Sequence, residues 1–293
     1  ELGDISRAKK FLKKTIEVGP NPEEMSKLQY VEGRILELSA DFEGAVKKWQ
    51  EVQEGPHRPS RAKAAVAIAD LLLEQELIDE SSAIQDLEKL RFSWRGDRFE
   101  FELLRRLGDL YINVGDYRNG LRTLRQAATH FRDYKEAAEV TQKMIDFFAS
   151  LYLENKADEM SPITAIALYD EFKELTPPGR KGAEMVRHLA DRLVDVDLLD
   201  RASELLQDQV EFRLDGVEKA RVGAQLALIY IFAQKFEDST KILDNSSTEG
   251  IPVDLSDQRR HLRSRSLMGQ GRIEDALALL KEDKTMDADL LRL

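Results

Sequence analysis

Four histidines, no cysteine and 55 acidic side chains make up most of the reactive inventory of this 293-residue chain, and their spacing decides what chemistry is open to them. Without cysteine there is no disulfide, no thiol nucleophile and no thiolate metal ligand. His57, His130, His188 and His261 stand far apart, and none opens an HExxH pair, the spacing that sets two imidazoles on one helix face around zinc. No GxGxxG, GxxxxGK[ST] or GxSxG occurs, so neither a phosphate-cradling glycine loop nor a nucleophile elbow is present. With no convergent acid–base pair and no metal or cofactor set, the residues read as those of a non-catalytic chain.

Four local clusters carry some chemistry at a smaller scale. Pro177-Pro178-Gly179-Arg180-Lys181-Gly182 precedes a helix and offers either a weak anion site or a plain linker. Asp195, Asp197 and Asp200 have spacings superficially like a calcium loop. An EF-hand would need an oxygen ligand at Leu199 and a glycine at Asp200, so a turn with a helix cap is the plainer reading. Arg95-Gly96-Asp97 spells an adhesion tripeptide and reads as the turn before a helix at 99–114. Arg259-Arg260-His261-x-Arg263-x-Arg265 is a basic cluster on one helix, with Arg259 and Arg263 on a shared face; it is either a solvated face or a holder for an acidic peptide or a carboxylate.

The elements that must position these residues are helices. Hydrophobic residues make up 42% and charged ones 34%, with only 16 Gly and 8 Pro, the balance of a folded, helix-rich chain. The 44 basic residues leave a net charge of -11, which disfavours general nucleic-acid binding. The longest apolar run, 226–233, is far below the ~20 residues that cross a bilayer, so no direct membrane insertion is expected. Small residues recur at the start of successive second helices: Ala8, Ala45, Ala83 and Gly120, then Ala165, Ala202, Ser239 and Ala276. Their spacing is 37 or 38 residues, except for 45 between Gly120 and Ala165, and the polar stretch 154–159 before Ser161-Pro162 accommodates the excess. Ser60 is the expected N-cap of a helix that follows the loop 55–60, and Pro162 sits in a first helical turn.

Residues 101–134 show the unit most fully. Leu104, Leu107, Gly108 and Tyr111 are followed by the turn Gly115-Asp116-Tyr117, then by Gly120, Leu124 and Ala127. The pattern resembles a tetratricopeptide repeat, with Leu104 where Trp is usual, Gly120 where Ala is usual and Arg132 where the terminal Pro would stand. Gly108 and Gly120 mark the expected close approach of the two helices. The resemblance implies an all-α fold, a right-handed α-solenoid of about seven to eight helix pairs with no strands. It makes residues 1–293 a single superhelical domain of units near 1–22, 23–59, 60–98, 99–134, 135–178, 179–216, 217–253 and 254–293. Both ends lack a partner helix, so the segment is expected to come from a longer chain.

In this family the first helix of each pair lines the concave surface. Projected so, the chain presents Arg105, Asp109 and Asn113, then Arg187 and Asp191, then Leu228 and Phe232, then His261 and Arg265. The carboxylate-clamp variant that grips chaperone tails is not matched, because Arg105 is followed by Asp109. A sharper expectation is a peptide groove of Leu228, Ile231 and Phe232 beside His261 and Arg265; its alternative is that 226–233, apolar all round, is buried on every side. The function implied is a non-catalytic protein–protein interaction scaffold that binds a peptide or protein, without nucleic acid or cofactor. A recruiting or regulatory arm of a larger enzyme and a self-assembling spacer joined through uncapped ends are the alternatives. Stretches such as 94–97, 175–179 and 197–202 are also similar to repeat regions of long bacterial proteins, some of them exported, which favours a bacterial chain and, slightly, the periplasm or envelope.

Overall fold

The computed structural model describes residues 2–154 and 156–293; Glu1, and Asn155 in the polar stretch assigned to the insertion, lie outside the described residues. Among the described residues the chain is all-α, with sixteen α-helices, two short 3-10 turns and no strand. It divides into two compact units, 1–144 and 145–293. The first contains α1 (Leu2–Glu17), α2 (Pro22–Leu38), α3 (Phe42–Glu54), α4 (Arg58–Glu74), α5 (Glu80–Ser93), α6 (Arg98–Asn113), α7 (Tyr117–His130) and the start of α8 (Ala137–Leu153). The second continues through α9 (Pro162–Phe172), α10 (Arg180–Asp195), α11 (Leu199–Phe212), α12 (Gly216–Phe232), α13 (Phe236–Asn245), α14 (Val253–Gly269), α15 (Ile273–Leu280) and α16 (Met286–Arg292). From α1 to α7 in the first unit and from α9 to α16 in the second each helix packs on the next in sequence, and α2 and α4, α10 and α12, α12 and α14, and α14 and α16 also touch. That is the contact pattern of stacked helix pairs, each unit resting on its neighbours alone.

The turn inside each pair is built the same way. Where the first helix ends, one residue enters the left-handed region: Ala40, Glu76, Gly115, Asp197, Gln234 and Gly271, with φ between 57° and 81°. The next backbone N–H then reaches back five residues, from Asp41 to the Leu36 carbonyl, Leu77 to Leu72, Asp116 to Tyr111, Leu198 to Leu193, Lys235 to Tyr230 and Arg272 to Leu267, at 2.8–3.0 Å. This Schellman closure pairs carbonyls that a helix end leaves orphaned. Side-chain caps then start the next helices. Asp41, Asp79, Asp97 and Asp116 each accept from the backbone N–H two or three residues on. Ser161 caps α9, with Pro162 in its first turn.

Two cap assignments are corrected. His57, not Ser60, caps α4: Nδ1 of His57 accepts from the Ser60 backbone N–H at 3.2 Å and lies 2.8 Å from its hydroxyl, while Ser60 is buried in the first turn. No aspartate caps α11, whose N-cap is Leu198 with no side-chain bond. Asp197 instead occupies the left-handed turn position, and Asp200 pairs with Lys235 at 2.6 Å. Asp97 of the Arg95-Gly96-Asp97 turn serves as the cap of α6 and accepts a 2.7 Å bond from Trp94 Nε1.

The pairs close tightly through small residues and bury large ones between them. A Cβ on Gly108 would lie 2.5 Å from Leu124 Cγ, and one on Gly120 would lie 3.1 Å from the Gly108 carbonyl oxygen, so α6 and α7 meet as the two glycines require. In the first unit Trp49 is fully buried among Ala45, Val52, Ala64 and Leu71, its Nε1 donating to the Tyr30 carbonyl at 3.1 Å. Leu87, Leu103, Leu107 and Leu110 fill the next layer. In the second unit Phe148, Tyr152, Tyr169 and Phe172 form an aromatic cluster with ring centroids 5.3–6.5 Å apart. Burial pushes the Tyr152 phenol far up, and its hydroxyl donates to the Ala165 carbonyl at 2.9 Å.

Candidate functional site

Polar side chains on successive first helices pair with one another. Arg106 of α6 donates to Asp70 of α4 at 2.7 Å, and Lys143 of α8 to Asp109 of α6 at 2.7 Å. In the second unit Lys181 of α10 approaches Asp146 of α8 at 3.9 Å, and Gln225 of α12 donates to Asp191 of α10. Burial pushes the Asp191 carboxyl up, while the Gln225 bond opposes it. These rungs lie one helix pair apart, so each joins a repeat to its neighbour.

Most of the projected first-helix residues are therefore already engaged. Asp109 and Asp191 belong to rungs. Asn113 donates to Glu80 at 2.9 Å, and Arg105 lies 3.2 Å from Glu102 and over the Phe101 ring. Arg187 is half-buried beside Asp191 on α10.

Three of the remaining candidates, Leu228, His261 and Arg265, have a different setting. Leu228 of α12, His261, Leu262 and Arg265 of α14, and Leu290 and Leu291 of α16 line a cleft of about 510 Å³, with Asp254, Asp257 and Asp287 along it. Ile231 is 9% exposed and packs inward; Phe232 is 52% exposed and stands outside the lining. The run 226–233 is thus not buried on every side: Leu226, Ala227 and Ile229 form its inner face, and Leu228 opens to the cleft.

One wall of the cleft is held by Asp283, whose side chain is 2% exposed. The Thr285 backbone N–H and hydroxyl donate to it at 2.9 and 2.7 Å, Arg260 at 2.6 Å, and His261 Nε2 lies at 2.8 Å. These donors, Thr285 first, hold the Asp283 carboxyl well below the usual carboxylate range. His261 is thus anchored to the 283–285 turn as well as facing the cleft. Arg265 has no hydrogen-bond or ion-pair partner among the described residues, leaving a guanidinium available beside four leucines. The apolar wall with one free cation and a carboxylate rim can take an extended or helical segment with an apolar side chain and an acidic group. No group of three or more His, Asp or Glu that could hold a metal occurs among the described residues.

Three features were not legible in the sequence. The rungs join residues 34–36 apart, each with an aspartate (Asp70, Asp109, Asp146, Asp191) and a donor that varies among Arg, Lys and Gln, and these types are too common along the chain to mark the pairing. Asp283 sits in an irregular turn outside the helical periodicity. The basic cluster of α14 is dispersed by the helix: Arg259 is buried, Arg260 turns to Asp257 and Asp283, Arg263 to Asp244, and His261 and Arg265 line the cleft.

Helix pairs repeating mostly every 37–38 residues, six of them closed by the same turn, make this an all-α helical-repeat protein of tetratricopeptide-like units. No family model matches the chain, and no curated protein matches it. Solved structures similar to it include BtubC (BKLC) from P. vanneervenii, 20% identical, covering 75% of this chain and 91% of that one, with a TM-score of 0.38. NprR in complex with its cognate peptide NprX is 13% identical over 97% of this chain and 83% of that one, TM-score 0.39. A tetratricopeptide repeat protein from Parabacteroides merdae is 14% identical over 92% and 98%, TM-score 0.36.

Proposed function

We propose that the chain is a non-catalytic interaction scaffold and that its partner is a peptide segment seated in the cleft of α12, α14 and α16. One observation carries this reading: Leu228, Leu262, Leu290 and Leu291 form an apolar wall around Arg265, a cation without a hydrogen-bond or ion-pair partner among the described residues. Apolar burial supplies the affinity of such a segment, and an acidic group of the peptide answers Arg265 and fixes its register. The carboxylates Asp254, Asp257 and Asp287 along the cleft select against a uniformly acidic peptide, so the segment carries its negative charge at one place. The first-helix residues of the other pairs contribute rigidity, since their hydrogen-bonding capacity goes to rungs and neighbouring side chains.

The test is selection of a random peptide library on the protein, followed by titration of recovered peptides against Leu228→Ser and Arg265→Ala. Each substitution is expected to weaken binding by roughly tenfold or more, as truncation of an interface anchor does, with melting unchanged because both side chains are only partly buried. Peptides that bind the two variants as well as the native chain would remove the cleft from the proposal. Failure to recover any peptide would remove the peptide reading itself.

A further inference from the structure

On the other side of α14 lies a second, smaller cleft of about 330 Å³, lined by Arg259, Arg260, Arg263, Ser247 and Ser256 together with Leu243, Ile251 and Leu279. Three arginines and two serines line it, and no acidic side chain is among the lining residues. We propose that this cleft binds a phosphoryl group, either as inorganic phosphate or as a phosphorylated side chain of a peptide.

Arg259 is the central observation. It is 8% exposed, yet its bonds go to neutral oxygens: Nη1 donates to the Ala220 carbonyl and the Ser246 hydroxyl, and Nη2 to the Leu243 carbonyl. Among the described residues no carboxylate pairs with it. A buried guanidinium with no bonded carboxylate is costly to hold: burial, reinforced by the neighbouring Arg263, makes Arg259 easier to deprotonate than an exposed arginine, and the nearby Asp244 opposes this only in part. An anion at the cleft mouth would add to the partial compensation from Asp244.

The other two arginines sit at that mouth with partners they can share or exchange. Arg263 pairs with Asp244, an exposed carboxylate that solvent can rehydrate, and Arg260 pairs with Asp257 and Asp283. Ser247 and Ser256 are exposed, and their hydroxyls make no described bond. A phosphoryl group brings about two negative charges and three strong acceptor oxygens, which suits three guanidinium groups and two hydroxyls; a carboxylate has only two oxygens. The basic cluster of the sequence thereby divides, His261 and Arg265 lining the peptide cleft and Arg259, Arg260 and Arg263 lining this one.

Calorimetric titration of the whole chain with inorganic phosphate, at constant ionic strength set by chloride, tests the assignment. Saturable binding is expected, weakened at least about tenfold by Arg263→Gln, as loss of a charge-assisted contact requires, and unchanged by Leu228→Ser. Acetate at the same ionic strength is expected to give no saturable heat. A phosphoserine peptide run beside its unphosphorylated form separates the sources: a preference for the phosphopeptide over phosphate assigns the site to a modified protein, and equal affinities assign it to the free ion. If Arg263→Gln alters the melting curve, Ser256→Ala, on an exposed side chain, replaces it. No saturable phosphate binding, or binding that Arg263→Gln and Ser256→Ala both leave intact, overturns the proposal.

Discussion

Single residues set the geometry of this molecule through backbone reach more than through charge. The left-handed turn position is occupied by glycine in two of the six pair turns, at Gly115 and Gly271, and by Ala40, Glu76, Asp197 and Gln234 in the others. A side chain there costs about 1–2 kcal/mol of local strain, which glycine avoids at some entropic cost. Glu76→Gly is therefore expected to stabilise the chain by up to about 1 kcal/mol, read as a higher urea midpoint; a lower midpoint would show that strain is absent at that turn. The converse applies at the helix crossing. Gly120→Ala forces Ile112 or the Gly108 backbone to move and is expected to cost about 1–3 kcal/mol. Trp49→Ala, which removes a fully buried ring and its bond to the Tyr30 carbonyl, should cost about 3–5 kcal/mol in the same assay. Gly108 and Gly120 were readable in advance because a small residue recurs where helices cross. The turn position was readable only in part, because four of its six occupants are not glycine and nothing in their types announces a positive φ.

At the scale of helices, polar rungs set register while apolar layers supply stability. The Asp109–Lys143 pair is half-exposed and largely solvent-screened, so a double-mutant cycle should return less than about 1 kcal/mol. A coupling of several kcal/mol would show that the rungs hold the stack together. The Asp283 cluster is a different case because it fastens α16 and the 283–285 turn to α14. Its folded-state carboxyl titrates below a free one, so its contribution is present above the ordinary carboxylate range and is lost as the pH falls through that range and below it. Asp191 has the opposite sign: its raised carboxyl favours the fold in acid and loses that contribution as the pH rises. Hydrogen exchange should therefore show α16 amides losing protection on acidification, and Asp283→Asn should reproduce that loss at neutral pH. Unchanged α16 protection in Asp283→Asn would place the fastening in the apolar contacts of Ala288 instead. Helix existence followed from the 3.6-residue apolar periodicity, whereas the partners of exposed polar residues depended on which helices stack.

At the scale of the whole chain, nearest-neighbour packing makes stability local. In such arrays it is close to a sum of repeat and interface terms. Trp49→Ala should therefore raise exchange across α2, α3 and α4 while leaving α12 to α15 at native protection. A uniform rise through both units would instead indicate a single cooperative block. The net charge of -11 also has a whole-molecule consequence, because phosphate binding at a small cationic cleft in an acidic chain should weaken steeply with added salt.

The sequence by itself determined the all-α class, the period of about 37 residues, the close approach at Gly108 and Gly120, and a core of first- and second-helix apolar residues. Those features are local, written in spacings of three, four and one repeat. It also drew attention to Leu228, His261 and Arg265, which the fold brings to one cleft, together with Ile231 and Phe232, which lie off its lining. Only the tertiary structure decided that Asp109 and Asp191 are spent on rungs, that Arg259 is buried with bonds to neutral oxygens alone among the described residues, and that five basic residues of one helix divide between two clefts and the Asp283 turn. Burial and partnership depend on neighbouring helices that lie tens of residues away, and no local pattern along the chain encodes them.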